Sequence, residues 1–401
     1  MEFQTPEDTV PSGFITDELS RQLKGRPPAT GAWRDGDPAG DRKFAPLFDL
    51  VLENGRELSN VRIAYESWGE LNEDRTNAVL VLHALTGDSH VAGASSKEHP
   101  TEGWWSEIVG PGLSIDTNKF FVVAPNMLGG CQGSTGPASL DSRGQEYGAR
   151  FPYLTIRDQV TSQKLFSDFL GINKWHAVIG GSMGAMQSLE WGVMYPDSLS
   201  NLAIIAAPPV TTADQIALNS VQIEAIKSDP AFKGGDYYDA KAGLGPHHGL
   251  ALARRMALLN YRSPDELNQR FERTWQSAAV NPLGGGGRFA VESYLDFHGN
   301  KFTRRFDANS YITLVNAMNS HDVTRGRGTL KESLSAITAR TLVVGIDTDR
   351  LFPIEGQVAI ASAIKSELVG GKLHTITSEF GHDGFLIEKE LVGPLLSELL
   401  G

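Results

Sequence analysis

The stretch Ala177 to Met186, AVIGGSMGAM, sets one serine among glycines where an apolar run gives way to helical spacing. A serine hydroxyl becomes a nucleophile when a base takes its proton and a third group orients that base. The spacing Gly180-x-Ser182-x-Gly184 suits a sharp strand-to-helix bend, because flanking side chains would clash and the central residue is held at strained angles. Such a bend lifts the hydroxyl to a helix N-terminus, where N–H groups and the helix dipole favour developing negative charge. A glycine-rich turn with Ser182 merely capping the helix would look the same locally, so the partners must be sought elsewhere.

On sheets with this bend the order is serine, acid, histidine, each on a loop after a strand. The apolar run TLVVGI is followed by DTDRLFP, and KLHTIT by SEFGHDGFL, which supply Asp347, Asp349 and His382 in that order. Asp349 is the preferred acid, since Pro353 lies four residues on as in D-x-x-x-P loops, while Asp347 suits a turn cap. His382 sits between Gly381 and a helix start. An oxyanion hole needs one N–H from the residue after the nucleophile and one from an early loop. Met183 and Leu85 fill those places, with His83 and Ala84 shaping the early turn. That turn lacks the HGGG of many esterases, which weakens a lipase reading.

These residues need a sheet to place them. FDLVLENGRELSNVRIAYESWG alternates apolar and polar residues around Asn54-Gly55 and reads as a hairpin. The runs at 78–83, 120–125, 176–181 and 202–207 read as buried parallel strands, separated by helical segments such as TIRDQVTSQKLFSDFLGI. The class is α/β. From 211 to 330 the strand signals stop and helical segments alternate with glycine loops, which predicts an inserted helical cap. The core then spans 44–210 and 331–401, and the Pro-, Gly- and charge-rich residues 1–43 predict a poorly ordered arm.

Composition narrows the partners. With 36 basic against 48 acidic residues the formal net charge is -12, which disfavours nucleic acid or an anionic membrane. No apolar stretch suggests a membrane span or signal peptide. The single cysteine, Cys131, precludes an intrachain disulfide and points to the cytoplasm. It lies in NMLGGCQGSTGPAS, which has neither Gly-Lys-Ser/Thr nor G-x-G-x-x-G and so predicts a packed thiol rather than a nucleotide loop.

HALTGDSH, NMLGGCQGSTGPAS, GGSMGAMQSLEWGVMYPD, RFDANSY and GHDGFL together resemble the homoserine O-acetyltransferases of methionine biosynthesis, most closely the actinobacterial members, over about residues 44 to 400. The resemblance implies an α/β hydrolase fold and a homodimer formed through the helical cap. It implies acetyl-CoA as co-substrate, L-homoserine as acceptor, a ping-pong route through an acyl-serine, and no tightly bound cofactor or metal. By motif it assigns Ser182, Asp349 and His382 to the triad, Arg254 (or Arg255) of GLALARRM to the substrate carboxylate, and Asp383 to its ammonium. A bidentate guanidinium and a carboxylate are what a zwitterion requires. Ala185 stands where the family's elbow has a further glycine. Succinyl-CoA or serine as substrates, a hydrolase with the same triad, and a non-catalytic binding protein are the alternatives.

Overall fold

The computed structural model describes residues 23–277 and 279–401. Its centre is an eight-stranded sheet in the order β1-β2-β6-β3-β7-β8-β9-β10. These are β1 (Lys43–Val51), β2 (Glu57–Trp68), β3 (Ala78–Leu82), β6 (Phe121–Pro125), β7 (Trp175–Gly181), β8 (Leu199–Ile205), β9 (Arg340–Ile346) and β10 (His374–Ile376). A separate small parallel pair comprises β4 (Val109–Gly110) and β5 (Ile115–Asp116). The hairpin expected at Asn54-Gly55 forms, with Gly55 at φ 80° and β1 antiparallel to β2. From β6 to β10 the strands run parallel.

Both faces of the central strands are covered, which is why they read as unbroken apolar runs. Leu80, Val178, Leu202 and Val343 pack into one layer, and Val79, Ile179, Ile205 and Val344 into the other. Helices α1 (Ile156–Leu170) and α2 (Met183–Met194) supply Phe166, Met186 and Leu189 to the first layer. The second is closed by Val392, Leu396 and Leu399 of α11 (Lys389–Leu400). Thr155 and Asp158 make a reciprocal capping box at the start of α1, and Gly171 ends it at φ 68°.

The insertion carries α3 (Ala213–Lys227), α4 (His247–Tyr261), α5 (Pro264–Phe271), α6 (Ala290–Phe302) and α7 (Ala308–Asn319). It enters and leaves through a narrow neck, where Val210 bridges Asp322 and the Thr211 N–H donates to His321 O at 2.9 Å. Buried Glu190 steadies that neck by pairing with Arg157 at 3.2 Å and Arg327 at 2.7 Å, while Arg157 also donates to Asp322 O at 3.1 Å. Beyond it follow α8 (Leu330–Leu334), α9 (Ile354–Ala363) and the short α10 (Gly384–Ile387).

Of the arm expected to be poorly ordered over 1–43, residues 1–22 lie outside the described residues. Residues 23–42 are irregular yet seated. The Gly31 N–H donates to Phe306 O at 3.1 Å, Trp33 N–H to Cys131 O at 2.9 Å, and Thr30 Oγ1 to Asp307 at 2.7 Å. A Cβ on Gly31 would lie 2.4 Å from the Phe306 nitrogen, so this glycine serves close approach. Glycine and proline here mark backbone that is neither helix nor strand, and residues 23–42 are held by partners on both the cap and the core.

Candidate active site

Ser182 follows β7 directly, with φ 58° and ψ −124°, at the N-cap of α2. Its flanking glycines have a steric reason: a Cβ on Gly180 would lie 2.1 Å from Gly184 O, and one on Gly184 would lie 2.1 Å from Leu82 O. The bend is held because the Ser182 N–H donates to Ile205 O at 2.9 Å, while its carbonyl accepts from the N–H groups of Ala185 and Met186. Strain at one residue is thereby sustained by the sheet and the first helical turn. Ala185 is fully buried in that turn.

Loops after β9 and β10 bring the other two groups to the serine. His382 Nε2 lies 2.8 Å from Ser182 Oγ, and His382 Nδ1 lies 2.6 Å from Asp349 Oδ2. The other Asp349 oxygen accepts from the N–H groups of Leu351 and Phe352 at 2.9 and 2.8 Å. A carboxylate only accepts, so Nδ1 carries the proton and Nε2 is left to accept from the serine. Asp347 is turned elsewhere and accepts from the Ser378 N–H, tying the two loops together. Burial works against a charged His382, but the neighbouring Asp349 carboxylate outweighs it and raises the imidazole above its ordinary value.

The early loop after β3 lies against the same bend. His83 Nδ1 is 2.7 Å from Ala84 O, and its Nε2 accepts from the Met127 N–H at 3.0 Å, so the buried ring spans the turn as a neutral tautomer. Burial also lowers its pKa. Neither the Leu85 nor the Met183 N–H donates a hydrogen bond to another described group. Two backbone donors beside an activated hydroxyl are the parts an oxyanion hole uses.

Ser182 opens into a cavity of about 190 Å³ whose walls include Leu85, Trp104, Arg254, Tyr261, Arg305 and Asp383. Of the two adjacent arginines, Arg254 faces this cavity; its guanidinium lies over the Tyr261 and Phe302 rings and donates to Thr86 Oγ1 at 3.3 Å. Arg255 points away and pairs with Asp296 at 2.9 Å. Asp383 is raised by burial, against the pull of Arg262 and His382. Sequence reasoning missed Tyr261, although it lies seven residues beyond Arg254 and hence on the same helical face. It also missed Arg305, which donates to Thr86 O at 2.9 Å from within the motif RFDANSY. A larger cavity of about 470 Å³ lies between Phe151–Leu154 and the cap and holds none of the triad, so size alone does not locate the chemistry. Cys131 is buried, which pushes its thiol far up and makes it unreactive.

Among the described residues one grouping has metal-ligand types: Asp41, Glu66, His90 and His99, with ligand atoms within 4.8 Å of one another. The two imidazoles are stacked, with centroids 4.2 Å apart and planes 13° from parallel. An imidazole holds an ion in its ring plane, and two nearly parallel planes share no nearby point. In this arrangement the cluster is a clamp: His90 Nδ1 lies 2.9 Å from Glu66 Oε2, and Ser89 Oγ donates to Glu66 Oε1 at 2.7 Å. No helix of the described residues is long and apolar enough to cross a membrane.

Comparison with known proteins agrees with this fold. Residues 77–389 match the family described as alpha/beta hydrolase fold. The chain is 62% identical over 400 residues to a homoserine O-acetyltransferase of Leifsonia xyli subsp. xyli, covering 100% of this chain and 99% of that one. Among solved structures it resembles homoserine O-acetyltransferase from Bacillus anthracis, with TM-score 0.80 and 28% identity over 90% of this chain and 97% of that one. It resembles esterase E22 equally in shape, with TM-score 0.80 and 27% identity over 90% and 99% of the two chains.

Proposed function

The chain belongs to the homoserine O-acetyltransferases, acyltransferases on the α/β hydrolase fold, and from that premise we propose that it moves an acetyl group from acetyl-CoA to the hydroxyl of L-homoserine through an acyl-serine. His382 Nε2 takes the Ser182 proton as Oγ attacks the thioester carbonyl, and the Leu85 and Met183 N–H groups hold the resulting oxyanion. Asp349 stabilises the imidazolium. His382 then protonates the departing thiolate. In the second half the homoserine hydroxyl gives its proton to His382 and attacks the acyl carbon. Ser182 leaves and recovers its proton, and O-acetyl-L-homoserine departs.

Arg254 receives the homoserine carboxylate and Asp383 its ammonium. The observation that carries the reading is that one small cavity holds the serine relay together with a guanidinium and a carboxylate. A general esterase has no use for that pair of charges. A cytoplasmic enzyme of methionine biosynthesis is part of this reading, as is a homodimer formed by the cap. Exposed Val221 on α3 and Leu252 and Leu259 on α4 support the dimer.

The likeness to esterase E22 keeps a hydrolase as the second reading. The two differ in whether an amino-acid alcohol or water clears the acyl-enzyme. The test is to follow thiol release with acetyl-CoA or succinyl-CoA, in the presence of homoserine, serine or water alone. Acetyl-CoA with homoserine should be fastest; release at the same rate without any acceptor would favour the hydrolase.

A further inference from the structure

The ion pair between Arg262 and Asp383 joins cap to core at the acceptor end of the cavity. Arg262 closes α4, and its Nε lies 3.2 Å from Asp383 Oδ2, with both side chains largely buried. The contact is an ion pair without hydrogen-bond alignment, so among the described residues neither Asp383 oxygen accepts a hydrogen bond, and Asp383 lines the cavity that holds Ser182. We propose that Arg262 is a positioning residue for the acceptor half of the reaction, fixing Asp383 as an aimed, ionised carboxylate so that the cavity selects an alcohol that also carries an amino group. This rests on the acyl-serine reading above.

The pair is not needed to dock the cap on the histidine loop. Ser263 Oγ donates to Glu379 O, and Gly381, at φ 62°, packs so closely that a Cβ would lie 2.8 Å from Tyr261 O. Those backbone contacts fasten the two segments whatever charge Arg262 bears. What the guanidinium adds is electrostatic. A carboxylate in a buried cavity tends to take a proton, and a neutral carboxyl has no charge with which to hold an ammonium.

The charged and titratable groups facing Asp383 are Arg262, Arg254 and Tyr261 from α4, its neighbour His382, and Asp349 across the relay. Arg254 is committed to the acceptor carboxylate, and His382, although raised, must be neutral to act as the base. Asp349 opposes ionisation of Asp383. Arg262 is therefore the standing counter-charge. Its repulsion of an incoming ammonium is offset only in part by Glu266, whose Oε1 lies 3.8 Å from Arg262 Nη1 but 3.1 Å from Arg270 Nη1.

The experiment times formation and loss of the acetylated Ser182 peptide by mass spectrometry in the full-length protein, with homoserine or 4-hydroxybutyrate as acceptor. The second compound keeps the carboxylate and hydroxyl and lacks the amine. In Arg262→Gln, acylation should stay within about twofold of wild type while the preference for homoserine falls about tenfold or more. The loss should deepen as pH falls, because Asp383 then protonates more readily. Arg262→Lys should restore most of the preference. If Arg262→Gln keeps the wild-type preference, or slows acylation and deacylation equally, the proposal fails while the acyl-serine reading stands. If wild type itself does not prefer homoserine, the proposal falls together with the assignment of Asp383.

Discussion

Two buried histidine–carboxylate pairs sit in this protein, and their chemistry diverges at a single atom. His382 and His90 each direct Nδ1 at a carboxylate, Asp349 at 2.6 Å and Glu66 at 2.9 Å. The far nitrogen of His382 meets the Ser182 hydroxyl beside a cavity, whereas that of His90 lies 3.3 Å from the Ala94 carbonyl. A carbonyl gives no proton, so the far nitrogen of His90 can only donate, and the ring is held between two acceptors rather than poised as a base. The difference teaches that pairing with a carboxylate only prepares an imidazole. The partner of its second nitrogen decides whether it becomes a base or a fastener.

Removing the serine oxygen should separate the pairs most sharply. Ser182→Ala is expected to lower acyl transfer about 10⁵-fold or more with little change in thermal stability. Retention of more than a few per cent of the rate, measured by thiol release, would overturn the role of Ser182. Next, Asp349→Asn should lower the rate about 10³- to 10⁴-fold, because an amide can donate to Nδ1 and so favour the wrong tautomer. The corresponding Glu66→Gln change should leave the rate within about twofold and instead reduce stability by about 1–3 kcal/mol in chemical denaturation.

The two pairs should also answer pH in opposite senses. Burial opposes charge on both rings, but in each the nearby acids, Asp349 and Asp383 for His382 and Glu66 and Asp88 for His90, prevail and the pKa is raised. For His382 the active form is neutral, so the rate should fall as pH drops through a midpoint above about 6.5, the ordinary histidine value. For His90 the charged form is the stabilising one. Its contribution is complete below the unfolded value and disappears as pH rises through the folded one. The stability gap between wild type and Glu66→Gln should therefore be widest near about pH 5–6 and narrow toward about pH 8. A gap that widened instead would contradict the clamp. The smallest effect is expected from Ala185→Gly, which should lower stability by about 0.5–1 kcal/mol and leave the rate within about twofold.

How far the sequence discloses such sites follows from how local their cause is. Gly180, Ser182 and Gly184 lie within five residues, and the steric reason for them is confined to that span and the end of β3. Asp349 and His382 could be placed because each follows a recognisable strand. The His90 clamp could not, because Glu66 lies in β2, and only the tertiary fold brings it to the loop holding His90 and His99. Which of Arg254 and Arg255 faces the cavity depends on the rotation of α4, a tertiary fact that neighbouring identical residues cannot express. Residues 23–42 show a related limit: composition reports what a segment does with itself, whereas these residues also find hydrogen-bond partners on the cap and the core.

The narrow neck between Val210 and Asp322 has a consequence for synthesis on the ribosome. Ser182 and its bend belong to strands made before the insertion, while Asp349 and His382 arrive on loops made after it. Because the insertion leaves the sheet and returns at one spot, it can fold as a side branch while β8 waits as an open edge for β9. Throughout that interval the hydroxyl has no base beside it. On the proposed relay, Ser182 gains its base only when β10 joins the sheet, so reactivity would be timed to completion of the fold.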